Sequence, residues 1–274
     1  MQPKLGILAG GGILPARLIE HCRATGRPYF VVAFNGHCDV DTVRDAPHGW
    51  FRLGAAGSII NALRANVARD LVMVGWIKRP RLRDLRPDWQ GLRILAGIWR
   101  CFLGGDDALL RAVAKVLEGK GFRVCGIQEV MEGLLAPAGA FGRVSPDSAG
   151  ARDVTEGMKA ARDLGARDLG QAVLVRSGAV IAREGPDGTD AMLMQSAGLL
   201  AGGGGVLVKM RKPQQDMRID LPSIGPDTVR LAVKLGLTGI AVEAGNALVV
   251  DFPEVVRAAD EAGIFVVGVD AQRA

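Results

Sequence analysis

The chain has 274 residues, 49% hydrophobic and 23% charged, a composition that excludes a disordered or fibrous protein and allows one large domain or two smaller ones. The formal net charge of +5 is uneven: residues 1–136 carry 19 Lys+Arg against 12 Asp+Glu, a net +7, and residues 137–274 carry 15 against 17, a net −2. A basic first half asks for an anionic partner, and the lack of interleaved stacking aromatics speaks against nucleic acid.

Lys4–Ala9 reads as a short apolar strand, followed by Gly10-Gly11-Gly12 and a helix over Ile13–Thr25 with Ile13, Leu14, Leu18, Ile19 and Cys22 on one face. Pro28–Phe34 reads as a second strand, Ala55–Asn66 as a helix, and Asp70–Gly75 as a third strand. Residues 87–103 and 106–119 are helical by apolar spacing, and Phe122–Gly126 is a fourth strand. Short apolar strands alternating with amphipathic helices predict a parallel sheet covered on both faces, a Rossmann-like first domain over residues 1–136. Turn residues dominate 137–150, the expected linker. Residues 151–274 resume as a C-terminal mixed α/β domain. Its helices are expected near 151–164, from Asp190, at Thr228–Leu235 and at Pro253–Ala262. Its strands are expected at Ala172–Arg176, Ala179–Arg183, Gly205–Met210, Gly239–Val242, Ala247–Val250 and Ile264–Val269.

The three histidines, His21, His37 and His48, all lie in the first 48 positions. Chemistry in the second half must therefore use carboxylates, lysines, hydroxyls or a metal held by oxygen. Cys22, Cys38, Cys101 and Cys125 form no CxxC pair and read as buried free thiols in a reducing cytoplasm. The N-terminus has no secretory pattern, and no window suits a membrane span.

Gly10, Gly11 and Gly12 stand between a strand and a helix, where free backbone N–H groups favour phosphate. The GxGxxG pattern fails at Pro15, and the second strand lacks the acid that would hold a ribose, so a tight turn is the alternative. Lys78 or Arg79, after the third strand, would suit a diphosphate or a solvated loop. The basic stretch 78–100, with Trp89, Leu92, Leu95, Ile98 and Trp99, fits a helix on an anionic membrane surface or a core helix with a charged outer face. Asp106-Asp107 reads as a helix cap, and Gly202–Gly205 as a flexible turn. The densest polar cluster is Lys209, Lys212, Gln215, Asp216, Arg218 and Asp220, preceded by Gly188-Thr189-Asp190. If 216–220 is extended, Asp216, Arg218 and Asp220 share one face, and carboxylates there would hold Mg²⁺ while Lys and Arg neutralise phosphate. A solvated loop with local salt bridges is the other reading.

KLGILAGGGILP at the start, GDDALLR at 105–111, GTDAM at 188–192 and KPQQDMRIDLPSIGPDT at 212–228 together resemble the UDP-2,3-diacylglucosamine pyrophosphatases of the LpxI type, along essentially the whole chain. The resemblance implies hydrolysis of UDP-2,3-diacylglucosamine to UMP and 2,3-diacylglucosamine 1-phosphate (lipid X) in lipid A biosynthesis. It implies two α/β domains with Mg²⁺ as cofactor, and a cytoplasmic enzyme held peripherally at the inner membrane of a Gram-negative cell. Residue by residue it places the metal and catalytic role on Asp220, joined by Asp190, and substrate contacts on Gly10–Gly12, Arg79 and Thr189. Lys209, Lys212, Gln215 and Arg218 complete the expected binding set, and a homodimer is left open. A nucleotide-dependent oxidoreductase and a non-catalytic UDP-sugar-binding regulator are the competing functions.

Overall fold

The computed structural model describes residues 2–78, 87–98 and 106–270. They divide into two units, Met1–Glu132 with Asp216–Asp220, and Gly133–Gln215 with Leu221–Ala274.

The first unit is built on β1 (Leu5–Ala9), α1 (Ile13–Thr25), β2 (Tyr29–Phe34), α2 (Val40–Val43), β3 (His48–Phe51), α3 (Ala56–Ala65), β4 (Asp70–Val74), α4 (Trp89–Ile98), α5 (Asp106–Gly119), β5 (Arg123–Val124) and α6 (Ile127–Val130). Its five strands lie in the order β3-β2-β1-β4-β5, and every pairing is parallel. β1 and β2 are buried at every residue, which is why LGILA and YFVVAF carry no polar alternation. α1 has the predicted bounds, closed by left-handed Gly26 with its N–H on the Arg23 carbonyl. β3 has no counterpart in the sequence reading: its four half-buried residues, HGWF, include a glycine and show no alternation at the sheet edge.

One core cluster of this unit joins Leu8, Val32, Ile60, Leu63, Leu71 and Phe122. At the N-terminal end of β4, buried Asp70 receives Arg27 Nη2 at 2.8 Å and Arg123 Nε at 2.9 Å. Hydrogen bonds from Arg123 lead the effects that hold its carboxyl below the ordinary range.

The second unit contains β6 (Gly139–Ala140), α7 (Ser148–Ala166), β7 (Ala172–Arg176), β8 (Ala179–Arg183), α8 (Thr189–Gln195), β9 (Val206–Lys209), β10 (Ser223–Ile224), α9 (Pro226–Lys234), β11 (Gly239–Glu243), β12 (Leu248–Val249), α10 (Phe252–Ala262) and β13 (Phe265–Val269). Its main sheet runs β6-β13-β11-β9-β7-β8. β9, β11 and β13 are parallel, whereas β7 is antiparallel to both β8 and β9, so the sheet is mixed. α7 starts at Ser148, inside the expected turn-rich stretch, because Asp147 Oδ1 accepts the Gly150 N–H at 2.7 Å and caps it.

Cys22, Cys38 and Cys125 are free and buried, and burial pushes the Cys22 thiol up to about 11, which keeps it a thiol. Cys101 lies outside the described residues. No helix among the described residues is long and apolar enough to cross a membrane.

Candidate functional site

In the first sheet the strand order reverses between β1 and β4, so the loops leaving their C-terminal ends flank the position where doubly wound sheets take ligands. The loop after β1 is Gly10–Gly12, and the loop after β4 begins Gly75-Trp76-Ile77-Lys78. The two are tied by backbone. Gly10 N–H donates to the Val74 carbonyl at 2.8 Å, Gly11 N–H to the Trp76 carbonyl at 2.9 Å, and Trp76 N–H to the Gly11 carbonyl at 3.1 Å.

Glycine is required here by close approach. A Cβ on Gly10 would lie 2.5 Å from the Trp76 oxygen, and one on Gly11 would lie 2.5 Å from the Trp76 ring. The amides of Gly10 and Gly11 are thus committed within the fold. Gly12, exposed and at φ +89°, lies ahead of the first turn of α1, where N–H groups have no helical acceptor and no side-chain cap. Arg79, expected next to this loop, lies outside the described residues, as do Arg81, Arg83, Arg86, Trp99 and Arg100 of the basic stretch.

Asp220 belongs to this first unit although it follows most of the second in the chain. Residues 217–219 form a turn rather than a strand: the Ile219 and Asp220 N–H groups both donate to the Asp216 carbonyl, at 3.0 and 3.1 Å. The alternating face expected of an extended 216–220 is therefore absent. Four contacts fix the turn. Arg218 grips Asp216 through Nε at 3.1 Å and Nη2 at 2.7 Å, and reaches Glu118 at the end of α5 through Nη1 at 2.7 Å. Gln128 Nε2 donates to the Met217 carbonyl at 3.0 Å, and Ile219 packs on the first-unit core. Hydrogen bonds from Arg218 hold the Asp216 carboxyl below its ordinary range. Asp220, half-buried, stands at the end of this anchored turn.

The second unit carries the remaining candidates. Lys209 ends β9, and Glu243 ends the neighbouring β11, so both stand at the C-terminal edge of parallel strands. Lys209 is 8% exposed, and its ammonium donates to the Ser223 carbonyl at 3.2 Å. Lys212 bridges to Asp168 at 2.9 Å, and buried Gln215 accepts the Lys212 N–H at 3.2 Å. Thr189 is buried, and its hydroxyl donates to Glu184 Oε1 at 2.7 Å, while Glu184 Oε2 accepts the Gln171 N–H at 2.7 Å. This latch fixes the start of α8, where Asp190 is exposed in the first turn.

The candidates thus fall in two groups: Gly10–Gly12, Arg218 and Asp220 in the first unit, and Thr189, Asp190, Lys209, Lys212 and Gln215 in the second. Sequence reasoning missed Glu118 and Gln128, whose roles come from partners 100 and 89 positions away, and Glu184, which accepts from Thr189 five positions on. It passed over Trp76, although a tryptophan directly after a strand and beside a cation was a visible signal. Among the described residues, no three His, Cys, Asp or Glu side chains gather as a metal centre.

Two family models match the chain, the LpxI N-terminal domain over residues 4–134 and the LpxI C-terminal domain over residues 137–267. The UDP-2,3-diacylglucosamine pyrophosphatase LpxI of Caulobacter vibrioides is 41% identical over 276 residues, covering 98% of each chain. A solved biotin carboxylase domain of the Hydrogenobacter thermophilus 2-oxoglutarate carboxylase overlaps 65% of this chain and 36% of its own at 14% identity, but the TM-score of 0.23 carries no argument.

Proposed function

We propose a function from the premise that this chain belongs to the LpxI family. It hydrolyses the diphosphate bond of UDP-2,3-diacylglucosamine, releasing UMP and 2,3-diacylglucosamine 1-phosphate, a step of lipid A biosynthesis. The observation that carries this reading is the 41% identity to the Caulobacter vibrioides pyrophosphatase along 98% of both chains.

Mg²⁺ is the proposed cofactor. It commonly takes one or two carboxylates and completes its shell with waters and substrate phosphates, so it needs no cluster of three protein ligands. Half-buried Asp220 in the first unit suits that donor set, and exposed Asp190 in the second is a further candidate carboxylate. When bound, the ion supplies charge neutralisation on the diphosphate oxygens.

Lys209 has a buried ammonium whose described partner is a neutral carbonyl, which leaves donor capacity for an anionic oxygen. Such a preorganised donor stabilises charge that develops during diphosphate cleavage. Arg218 is already committed to Asp216 and Glu118, so its role is to hold the turn that presents Asp220. Thr189, bonded to Glu184, holds Asp190 in the same sense. Lys212 and Gln215 brace their own loop, and Arg79 remains a candidate contact to the diphosphate.

The exposed face of α4 supports contact with acyl chains or an anionic membrane surface. Trp89 is 68% exposed and Leu92 50%, and the Arg93 guanidinium lies 5.2 Å from the Trp89 ring. A cytoplasmic enzyme working peripherally at the inner membrane is the corresponding localisation.

The test is incubation of the full chain with UDP-2,3-diacylglucosamine in ¹⁸O-labelled water, with Mg²⁺ and with EDTA. Expected products are UMP and 2,3-diacylglucosamine 1-phosphate, with no turnover in EDTA and, for the water attack on the sugar-side phosphorus that the family resemblance implies, with the label on the sugar phosphate. Absence of UMP with Mg²⁺ would overturn the activity. Full turnover in EDTA would overturn the metal, and label on UMP would overturn attack at the sugar-side phosphorus.

A further inference from the structure

Trp76 is 54% exposed, yet nothing about its backbone is loose. Its N–H and C=O form a two-bond bridge with Gly11, at 3.1 and 2.9 Å, and the preceding Gly75 is held at φ +86°. The indole lies against the glycine turn. A Cβ on Gly11 would stand 2.5 and 2.6 Å from its six-membered ring, and one on Gly12 would stand 3.3–3.4 Å from its pyrrole edge. Two neighbouring loops are therefore shaped to keep this ring where it is, and the rest of its surface faces solvent. Core packing does not account for an aromatic placed this way, since most of its apolar area stays in water.

The surroundings fit a planar ring attached to a phosphate. The Lys78 ammonium lies 5.9 Å from the indole centroid, and the His37 ring centroid lies 6.4 Å away at 59°. Exposed Gly12 and the uncapped first turn of α1 stand beside the same indole. All of this is at the strand-order reversal between β1 and β4, where doubly wound sheets place nucleotides. A base stacked on an aromatic face gains area and dispersion without a hydrogen-bond code, which suits an exposed indole.

We propose that Trp76 is the platform on which the uracil base of the uridine nucleotide stacks, with Lys78 beside it for the nucleotide's negative charge. The assignment rests on the diphosphatase reading above and adds to it the place and the contact for the base.

The experiment measures UMP and 2,3-diacylglucosamine 1-phosphate binding by calorimetry for the full-length wild type, Trp76→Leu and Trp76→Phe. Folding of each is checked by circular dichroism. Trp76→Leu is expected to raise the Kd for UMP about 5- to 150-fold, the loss of one base-stacking contact, and to leave the base-free product unchanged. Trp76→Phe keeps an aromatic face and stays near wild type in affinity, while UMP-dependent quenching of tryptophan fluorescence is lost. UMP affinity unchanged in folded Trp76→Leu overturns the platform, even where the wild type hydrolyses its substrate normally. Equal weakening for both ligands overturns it as well, because that is the signature of a structural role. If the wild type neither binds UMP nor releases it from the substrate, the functional reading fails and the platform with it.

Discussion

Replacing Arg218 with alanine removes three short bonds at once: two to Asp216, at 2.7 and 3.1 Å, and one to Glu118, at 2.7 Å. The side chains are 41% exposed for Arg218, 21% for Asp216 and 36% for Glu118, so water screens the pairs and each contributes about 0.2–1 kcal/mol. The forked geometry places the sum near the top of that range, about 1–2 kcal/mol for the turn. What remains is the backbone turn, with the Ile219 and Asp220 N–H groups on the Asp216 carbonyl, the Gln128 bond to the Met217 carbonyl, worth about 1 kcal/mol net, and the packing of Ile219. The turn should therefore survive but sample other arrangements, and Asp220 would be correctly placed for a smaller fraction of the time. At about 1–2 kcal/mol this is a fall in kcat of roughly 5- to 30-fold with KM close to wild type. Arg218→Lys can reach one carboxylate but not fork across both, so it should fall between alanine and wild type. Steady-state kinetics on UDP-2,3-diacylglucosamine, with thermal unfolding of each variant, is the assay. A loss of about a thousandfold or more with unchanged unfolding would refute positioning and mean that the guanidinium contacts the diphosphate directly.

Asp220→Ala should leave a folded protein that binds substrate but turns over about a hundredfold or more slowly, the several kcal/mol of metal-assisted charge stabilisation; near-normal turnover would remove Asp220 from the site. Lys209→Met keeps the apolar stem and removes the ammonium, and kcat should fall about 10²- to 10³-fold, as for loss of one preorganised donor; a KM effect alone would show uniform binding instead. Asp70→Asn, far from this chemistry in role, should cost about 3–5 kcal/mol at pH 7, because Arg27 is left buried without its counter-charge. Asp70 has a depressed carboxyl pKa in the folded state, so its stabilisation is complete above the unfolded value and lost as pH falls through the folded one. Urea midpoints of wild type and variant should therefore converge on acidification, and a gap independent of pH would contradict the ion-pair account. Gly11→Ala puts a methyl 2.5 Å from the Trp76 ring and 2.9 Å from the His37 carbonyl. It should cost about 1–3 kcal/mol and shift the tryptophan emission; an unchanged spectrum and stability would mean the turn is looser than described.

Much of the molecule follows from local sequence. The runs LGILA and YFVVAF read as buried strands, and the apolar spacing of Ile13–Thr25 with Gly26 after it gave the bounds of α1. The motifs KLGILAGGGILP, GDDALLR, GTDAM and KPQQDMRIDLPSIGPDT carried the family resemblance, and the two matching family models and the 41% identical relative agree with it. Periodicity and capping act over a few residues, so sequence alone reveals them.

What tertiary structure decided lies in contacts far apart in the chain. Whether Asp216–Asp220 is extended or turned depends on Arg218 meeting Glu118, 100 positions away, and Gln128 meeting Met217, 89 away. The same contacts place Asp220 in the first unit, against the expectation from its position late in the chain. The glycine run shows the same dependence. Gly10 and Gly11 look like phosphate donors until β4 lies beside β1, where the Val74 and Trp76 carbonyls take their N–H groups. A backbone donor has one proton to give, and only the neighbour supplied by the fold determines where it goes.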